Sequence, residues 1–376
     1  MNILFVTDLC PIDEKEYGLP STLLNFILDF KSIGHNIVLL RPNVIPNVLL
    51  RKRKIYPEGE YDYKGIRCIN KNFLTPFFNK NSFEFLKNLN ENEFDLILSH
   101  MPSGVLAANK IAKILNIPYF ASVHASDIEI IKNPLYFFLW YSIKKAYMEA
   151  KIVLPRSFWL KKEIEKKFTF LKNKTYVIPS GIERECIIDR EKIQKKSLDF
   201  FDSPLKIFTA GSLIKRKNFK NLIKAVSCFE DIELIIAGDG YEKETLKKLV
   251  KKLSCEKRVI FKGMVKRDEI LNLMEKYPVF ILPSLNETFG MVYIEALAKG
   301  SVVICTKNSG ISGFIKDGVN GFLTECGEKD IIETIKRVKN LKTPAIIMNN
   351  ALDTAIGLER HKAAENYLNI IQNILV

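Results

Sequence analysis

The chain has no apolar run long enough to cross a bilayer as a helix. Its longest, Pro134 to Tyr141 (PLYFFLWY), falls well short of the roughly 20 residues a spanning helix needs, so no membrane span is expected. It also lacks a basic leader. The opening MNILFVTDLCPIDEKE meets acids directly after a short apolar run, which reads as a first strand rather than a signal peptide, and no export is implied. Cysteine pairs are missing too: Cys10, Cys68, Cys186, Cys228, Cys255, Cys305 and Cys326 stand singly, with no C-x-x-C, and their odd number leaves one unpaired. That pattern fits a reduced, cytoplasmic setting. No His/Cys cluster has metal-ligand spacing, and no D-x-D-like carboxylate pair stands at a strand end, so no metal and no cofactor are expected. Nor is there an internal sequence repeat.

What is present is a two-domain globular chain. Its 376 residues exceed one ordinary core, and 47% hydrophobic with 27% charged residues gives a packed fold rather than a disordered one. The excess of basic side chains, 57 − 43 = +14, suits work near anions such as phosphates, nucleic acid or acidic lipid. Charge alone does not choose among these.

Short β-branched runs alternate with amphipathic segments, the pattern of strands joined by crossover helices in a parallel sheet, so the class is α/β. Strands are expected at 2–7, 35–41, 94–100, 117–124, 150–156 and 175–180. After a polar, charged stretch the pattern restarts at 205–211, 232–238, 258–263, 278–284 and 301–306. Two Rossmann-like halves facing each other across a cleft are expected: 1–183, a linker at 184–203, and 204–355. The tail 356–376 reads as an amphipathic crossover helix, with Ala363, Leu368, Ile371 and Leu375 at helical spacing for docking, returning to the first half.

The most informative segment is PVFILPSLNETFGMVYIEALAKGSVVICTKNSGISGFIKDGVNGF, residues 278–322. A buried strand ends at Pro283-Ser284, a polar loop carries Glu287, and Gly290 opens a helix bearing Glu295. Free amides of Gly290, Met291 and Val292 at that helix start form a cradle for a diphosphate. Glu287 and Glu295, separated by Thr288, Phe289 and the residues to Ile294, flank the cradle and are placed to accept hydrogen bonds from sugar hydroxyls. Each glutamate taken alone is more often a solvated charge; in this block that ordinary reading loses. The glycines of Gly238-Asp239-Gly240 lack the third member of a dinucleotide fingerprint, since position 243 is Lys, and read as a strand-end turn.

This segment resembles the signature of the group 1 glycosyltransferases, sugar-transferase family 4, which have the two-domain GT-B fold. Other blocks agree in order: VIPSGIE (177–183), FTAGSLIKRKNFKNLIKAV (208–226), LIIAGDGYEKETL (234–246) and VIFKGMV (259–265). The resemblance implies a nucleotide diphosphate sugar as donor, a saccharide or lipid-linked acceptor, and retention of configuration. It implies that Glu287 contacts the donor hexose and Glu295 the nucleotide ribose. Lys215-Arg216-Lys217 follows the first strand of the second half, and fixed cations there can stabilise charge developing on a departing phosphate. The resemblance gives the donor-phosphate lysine as Lys217. The arginine common after the strand-ending glycine is Ser212 here, and Arg216 is the candidate to supply that charge.

In the first half VHASD (123–127) ends a strand with His124, where an acceptor-binding or proton-handling imidazole is useful and where the family has a functional histidine; Asp127 is a companion candidate. Gly18 stands where family members often have paired glycines, and Gly313 where they often carry an acid. Two other readings compete. One is a basic polyanion- or membrane-binding protein using Arg51 to Lys54 (RKRK) and Lys161, Lys162, Lys166 and Lys167, and a version compatible with transfer has the transferase touch the membrane through Leu49, Leu50, RKRK and Tyr56 to reach a lipid-linked acceptor. It would add an anionic membrane surface as partner and a peripheral position at the inner membrane face; no nucleic-acid module is evident. The other keeps the fold and replaces transfer by phosphorolysis or epimerisation.

Overall fold

The computed structural model describes residues 1–8, 21–44, 58–73, 93–124 and 137–375. The chain forms two compact units. One comprises Met1–Arg156, Leu160–Pro179 and Ala364–Val376, the other Ser157–Trp159 and Ser180–Ala363.

The first unit is built on β1 (Asn2–Thr7), β2 (Asn36–Val44), β3 (Gly59–Tyr63), β4 (Ile66–Phe73), β5 (Leu96–His100), β6 (Tyr119–Val123) and β7 (Val153–Pro155). Their order is β3-β4-β2-β1-β5-β6-β7, parallel throughout except for the β3–β4 hairpin. Ile3 to Val6 in β1 and Leu96 to Leu98 in β5 are fully buried, as strands covered by helices on both faces must be. The second unit uses β8 (Leu205–Ala210), β9 (Ile232–Ala237), β10 (Val259–Gly263), β11 (Val279–Leu282), β12 (Val302–Thr306) and β13 (Phe322–Thr324), all parallel, in the order β10-β9-β8-β11-β12-β13.

Leaving out β3, both sheets have the doubly wound order third-second-first-fourth-fifth-sixth. Winding reverses between β1 and β5 in one and between β8 and β11 in the other. Ligands of such sheets gather beyond the carboxyl ends of the strands at these reversals.

Three expectations are corrected, and two features went unpredicted. The stretch 184–203 is not a linker: it carries the helix Glu191–Asp199, and Ile188, Ile193 and Phe200 are buried in the core of the second unit. Residues 175–180 do not form a strand. Tyr176 N and Ile178 N donate to the carbonyls of Val153 and Pro155, but only one bridge, Val153 to Thr175, results, and Pro179 has no N–H to continue it. The β3–β4 hairpin and β13 went unpredicted. The hairpin turns on Lys64 and Gly65, both at positive φ (53° and 73°), and its outer strand is largely exposed and polar, so it shows no hydrophobic signal. In the tail, helix Pro344–Gly357 ends before a second helix, Arg360–Leu375, begins. Ala364, Tyr367, Leu368 and Ile371 of that last helix are buried in the core of the first unit, whereas Leu375, expected to dock, is exposed.

Candidate active site

At the reversal point of the second sheet, the loop after β8 makes a single 3-10 turn over Lys215–Lys217 and ends at Asn218, which sits in the left-handed region (φ 58°) and opens the helix Phe219–Ser227. Asn218 is buried, and its Nδ2 donates to the carbonyls of Pro283 (3.0 Å) and Cys326 (2.9 Å), tying this loop to the segments after β11 and β13. Leu285 N donates to Arg216 O at 2.8 Å. The loops after the two central strands are thus laced together by backbone and amide bonds, and the side chains they carry have fixed starting points.

Glu287 projects from the second of these loops and is 7% exposed. Lys217 Nζ donates to its Oε2. Arg216 Nη1 lies 3.7 Å from the same oxygen while donating to Asn286 O at 2.7 Å. Two of the three cations therefore converge on one carboxylate. Lys215 does not join them: it is exposed, and its backbone N donates to the Tyr241 hydroxyl. Ser212 is exposed as well, so Arg216 is the guanidinium this loop brings to Glu287.

Three residues beyond Glu287, Gly290 caps the helix Met291–Ala298 with φ 82°. Only glycine fits here without strain: a Cβ would strike the Tyr293 ring and lie 2.9 Å from Glu287 Cγ. The Tyr293 hydroxyl donates to Leu282 O at 2.6 Å, anchoring the helix start on the end of β11. Thr288, Met291 and Val292 are partly buried along this approach. The Phe289 ring is not at a ligand surface as expected. It is 1% exposed and packs edge-on against Phe314, so its contribution there is backbone and core. At Gly313, where relatives often carry an acid, a Cβ would lie 2.5 Å from Phe158 Cδ2, so the Phe158 ring takes the space a side chain would use.

Glu295 has a different set of partners. Arg267 Nε donates to its Oε1 at 2.9 Å, and Arg267 Nη2 donates to Glu183 Oε2 at 2.7 Å. One guanidinium bridges two carboxylates. Burial works to raise the Glu183 carboxyl, but the Arg267 hydrogen bond prevails and its pKa falls below the usual range. Burial likewise works to lower the Arg267 pKa, and its two carboxylate partners raise it instead. Sequence reasoning assigned no role to Glu183 or Arg267. A signal existed: Arg267 occupies the first position of helix Arg267–Lys276, where the helix dipole disfavours a cation, so a basic residue there has its partners outside the helix.

In the first unit, His124 directly follows β6, and its Nε2 lies 3.2 Å from Nδ1 of His100, the last residue of β5. Burial, then the charge of Arg156, pushes the His124 pKa down to about 3. Burial, then His124 and Arg156, holds His100 well below its ordinary value. Both imidazoles are neutral near pH 7, which, of the two roles expected of His124, acceptor binding or proton handling, favours the first. Gly18, Asp127 and residues 49–56 lie outside the described residues. Among the described residues no group of three or more His, Cys, Asp or Glu is placed to hold a metal ion, and no helix is long and apolar enough to cross a membrane.

Comparison with known proteins gives concordant likenesses. A family model described as glycosyl transferases group 1 matches residues 189–353, and one described as Glycosyltransferase Family 4 matches residues 21–185. The uncharacterized glycosyltransferase MJ1178 of Methanocaldococcus jannaschii is 29% identical over 278 residues, 71% of this chain and 72% of that one. The lipopolysaccharide core biosynthesis glycosyltransferase LpsE of Rhizobium meliloti is 29% identical over 197 residues, 51% of this chain and 55% of LpsE, so the match spans little more than half of that relative's length. Among solved structures, Anabaena Alr3699/HepE in complex with UDP has a TM-score of 0.72 at 19% identity, covering 99% of this chain and 100% of that one, a likeness of fold.

Proposed function

The chain belongs to the group 1 glycosyltransferases, and on that footing we propose that it moves a hexose-type sugar from a nucleotide diphosphate sugar to an acceptor hydroxyl, with retention of configuration, in the synthesis of a cell-surface polysaccharide or glycolipid. The observation that carries this reading is the convergence of Lys217 and Arg216 on buried Glu287, at the reversal point of the second sheet and beside the helix start at Gly290. The HepE structure holds UDP, and the name of LpsE refers to lipopolysaccharide core synthesis; both agree with the donor and product classes.

The chemistry follows from charge placement. Cleaving the bond between the anomeric carbon and the diphosphate leaves negative charge on phosphate oxygen. Lys217 and Arg216 are held near that charge by their loop rather than reorganised at the moment of reaction, and amides at Gly290, Met291 and Val292 add the positive end of a helix dipole. Without donor, Glu287 neutralises part of this positive charge. Donor binding, before the chemical step, frees its carboxylate to accept hydrogen bonds from hexose hydroxyls and turns the cations to phosphate. Glu295, one oxygen held by Arg267, offers the other to ribose hydroxyls. Positioning and electrostatics account for the rate, in a front-face displacement with the acceptor hydroxyl attacking from the side the diphosphate leaves and its proton passing to the departing phosphate oxygen.

The test is a panel of nucleotide diphosphate sugars screened by thermal shift, since a ligand selective for the folded state raises its apparent stability. It is followed by NMR of the product formed with added saccharide or lipid-linked acceptors. The expected result is one stabilising donor and a new glycosidic bond of unchanged anomeric configuration. Release of sugar phosphate, an epimerised nucleotide sugar, or no stabilisation by any donor would overturn the proposal.

A further inference from the structure

At the carboxyl ends of β5 and β6 the first unit buries an unbroken line of polar groups that the transfer chemistry above does not use. Tyr367 Oη lies 3.2 Å from Ser122 Oγ, Ser122 Oγ lies 3.1 Å from His100 Nε2, and His100 Nδ1 lies 3.2 Å from His124 Nε2. Tyr367, Ser122 and His100 are 3%, 5% and 7% exposed, so water does not substitute for these contacts. The rings are clamped: His100 stacks on Phe5 with centroids 4.8 Å apart, and Tyr367 packs on Phe30 at 5.2 Å and Phe26 at 6.1 Å.

Proton counting gives this line a direction. Between the two imidazoles there is room for one hydrogen, so one ring donates and the other accepts. The recorded hydrogen-bond partner of the buried Tyr367 hydroxyl is Ser122 Oγ, and a phenol O–H without an acceptor is costly in such a place. Tyr367 therefore donates to Ser122. The Ser122 hydrogen is then directed at His100 Nε2, which must be the unprotonated nitrogen. A neutral imidazole carries its one hydrogen on the other nitrogen, so His100 Nδ1–H donates to His124 Nε2 and His124 is protonated at Nδ1. Reversing any link strands the phenolic hydrogen.

We infer that Tyr367, Ser122 and His100 are positioning residues that fix His124 in the Nδ1-protonated tautomer, so that the last helix of the chain sets the hydrogen-bonding polarity of a residue at the end of β6. The kinetic consequence rests on the reading of His124 as a site residue; the tautomer itself does not.

Two-bond ¹⁵N–¹H correlation spectra of the ¹⁵N-histidine-labelled protein test this, with the four imidazoles assigned by single substitution. The expected wild-type result is Nδ1–H with unprotonated Nε2 at both His100 and His124; protonated Nε2 at His124 would overturn the inference. In Tyr367→Phe the anchor is gone, and His124 is expected to become a mixture of tautomers with a several-fold loss of kcat at unchanged donor KM. A Tyr367→Phe protein whose His124 signals match wild type would also overturn it. If the tautomer shifts while turnover holds, the relay stands and the role of His124 in transfer falls. Should Tyr367→Phe fail to fold, Ser122→Ala interrupts the same line one link further on, with the same two readouts.

Discussion

The two sheets share one strand order, yet the described side chains beyond two of their strands differ in charge. Beyond β8 and β11 stand Arg216 and Lys217 on a buried carboxylate, an arrangement of full charges. Beyond β5 and β6 stand two imidazoles held neutral by burial, joined to a serine and a phenol. Topology decides where a site forms in such a fold; the side chains on the following loops decide what it does. A charged floor suits a ligand whose reaction releases phosphate. A neutral, hydrogen-bonded floor suits a ligand that must be oriented.

The sharpest way to break this contrast is at Lys217. Lys217→Ala should lower kcat by on the order of 10² to 10³, because the charge opposite the leaving phosphate is lost, with Lys217→Arg retaining much of it. Steady-state kinetics on folded variants with wild-type turnover would remove the charged floor from the mechanism. The next largest effect is pH dependence, and it should separate the units. His100 and His124 have pKa values depressed in the folded state, so between their folded values and the ordinary value near 6.5 the unfolded chain binds more protons. Stability is therefore full above about pH 6.5 and declines as pH falls, by up to ~1.4 kcal/mol per pH unit for each imidazole. His35, also held below its ordinary value by burial and the amino terminus, acts in the same sense. Hydrogen exchange at pH 7 and pH 5 should show β5 and β6 losing protection while β8 and β11 keep it; equal losses would erase the distinction.

A smaller effect is expected at Gly290. Gly290→Ala imposes a side chain at φ 82° against the Tyr293 ring and should cost about 1–3 kcal/mol in urea unfolding. An unchanged midpoint would mean the helix start is softer than its packing implies. The mildest is Arg267→Ala, which leaves Glu295 without its bridging cation and should weaken nucleotide binding roughly tenfold by calorimetry, with kcat little altered. Wild-type affinity would detach Glu295 from the donor.

Legibility in the sequence followed burial. Strands β1, β8, β9, β11 and β12 lie in sheet interiors, so most of their residues are apolar and buried, and the runs stand out. The β3–β4 hairpin, with one strand on the sheet edge, and β13, three residues long, carry too little apolar periodicity to be seen. Within the candidate site, Glu287 and Gly290 were singled out from the loop after β11 and Lys217 from the loop after β8, each beside a strand end, although the Lys217–Glu287 bond spans 70 residues. Arg267 and Glu183 were not, because only their pairing, across 84 residues, marks them. The same holds for Ser122 and Tyr367, separated by 245 residues.

The amino-acid sequence by itself determined the α/β class, the two largely parallel sheets, the family and the candidate site loops, because these depend on local periodicity and on motifs contiguous in the chain. Tertiary structure alone decided which charges meet which. It put Arg216 and Lys217 on Glu287, gave Glu295 to Arg267, moved Phe289 into the core and connected Tyr367 to His100 through Ser122. Such pairings depend on packing between segments remote in sequence, where distances of a few ångströms and exclusion of water set the energy of each contact.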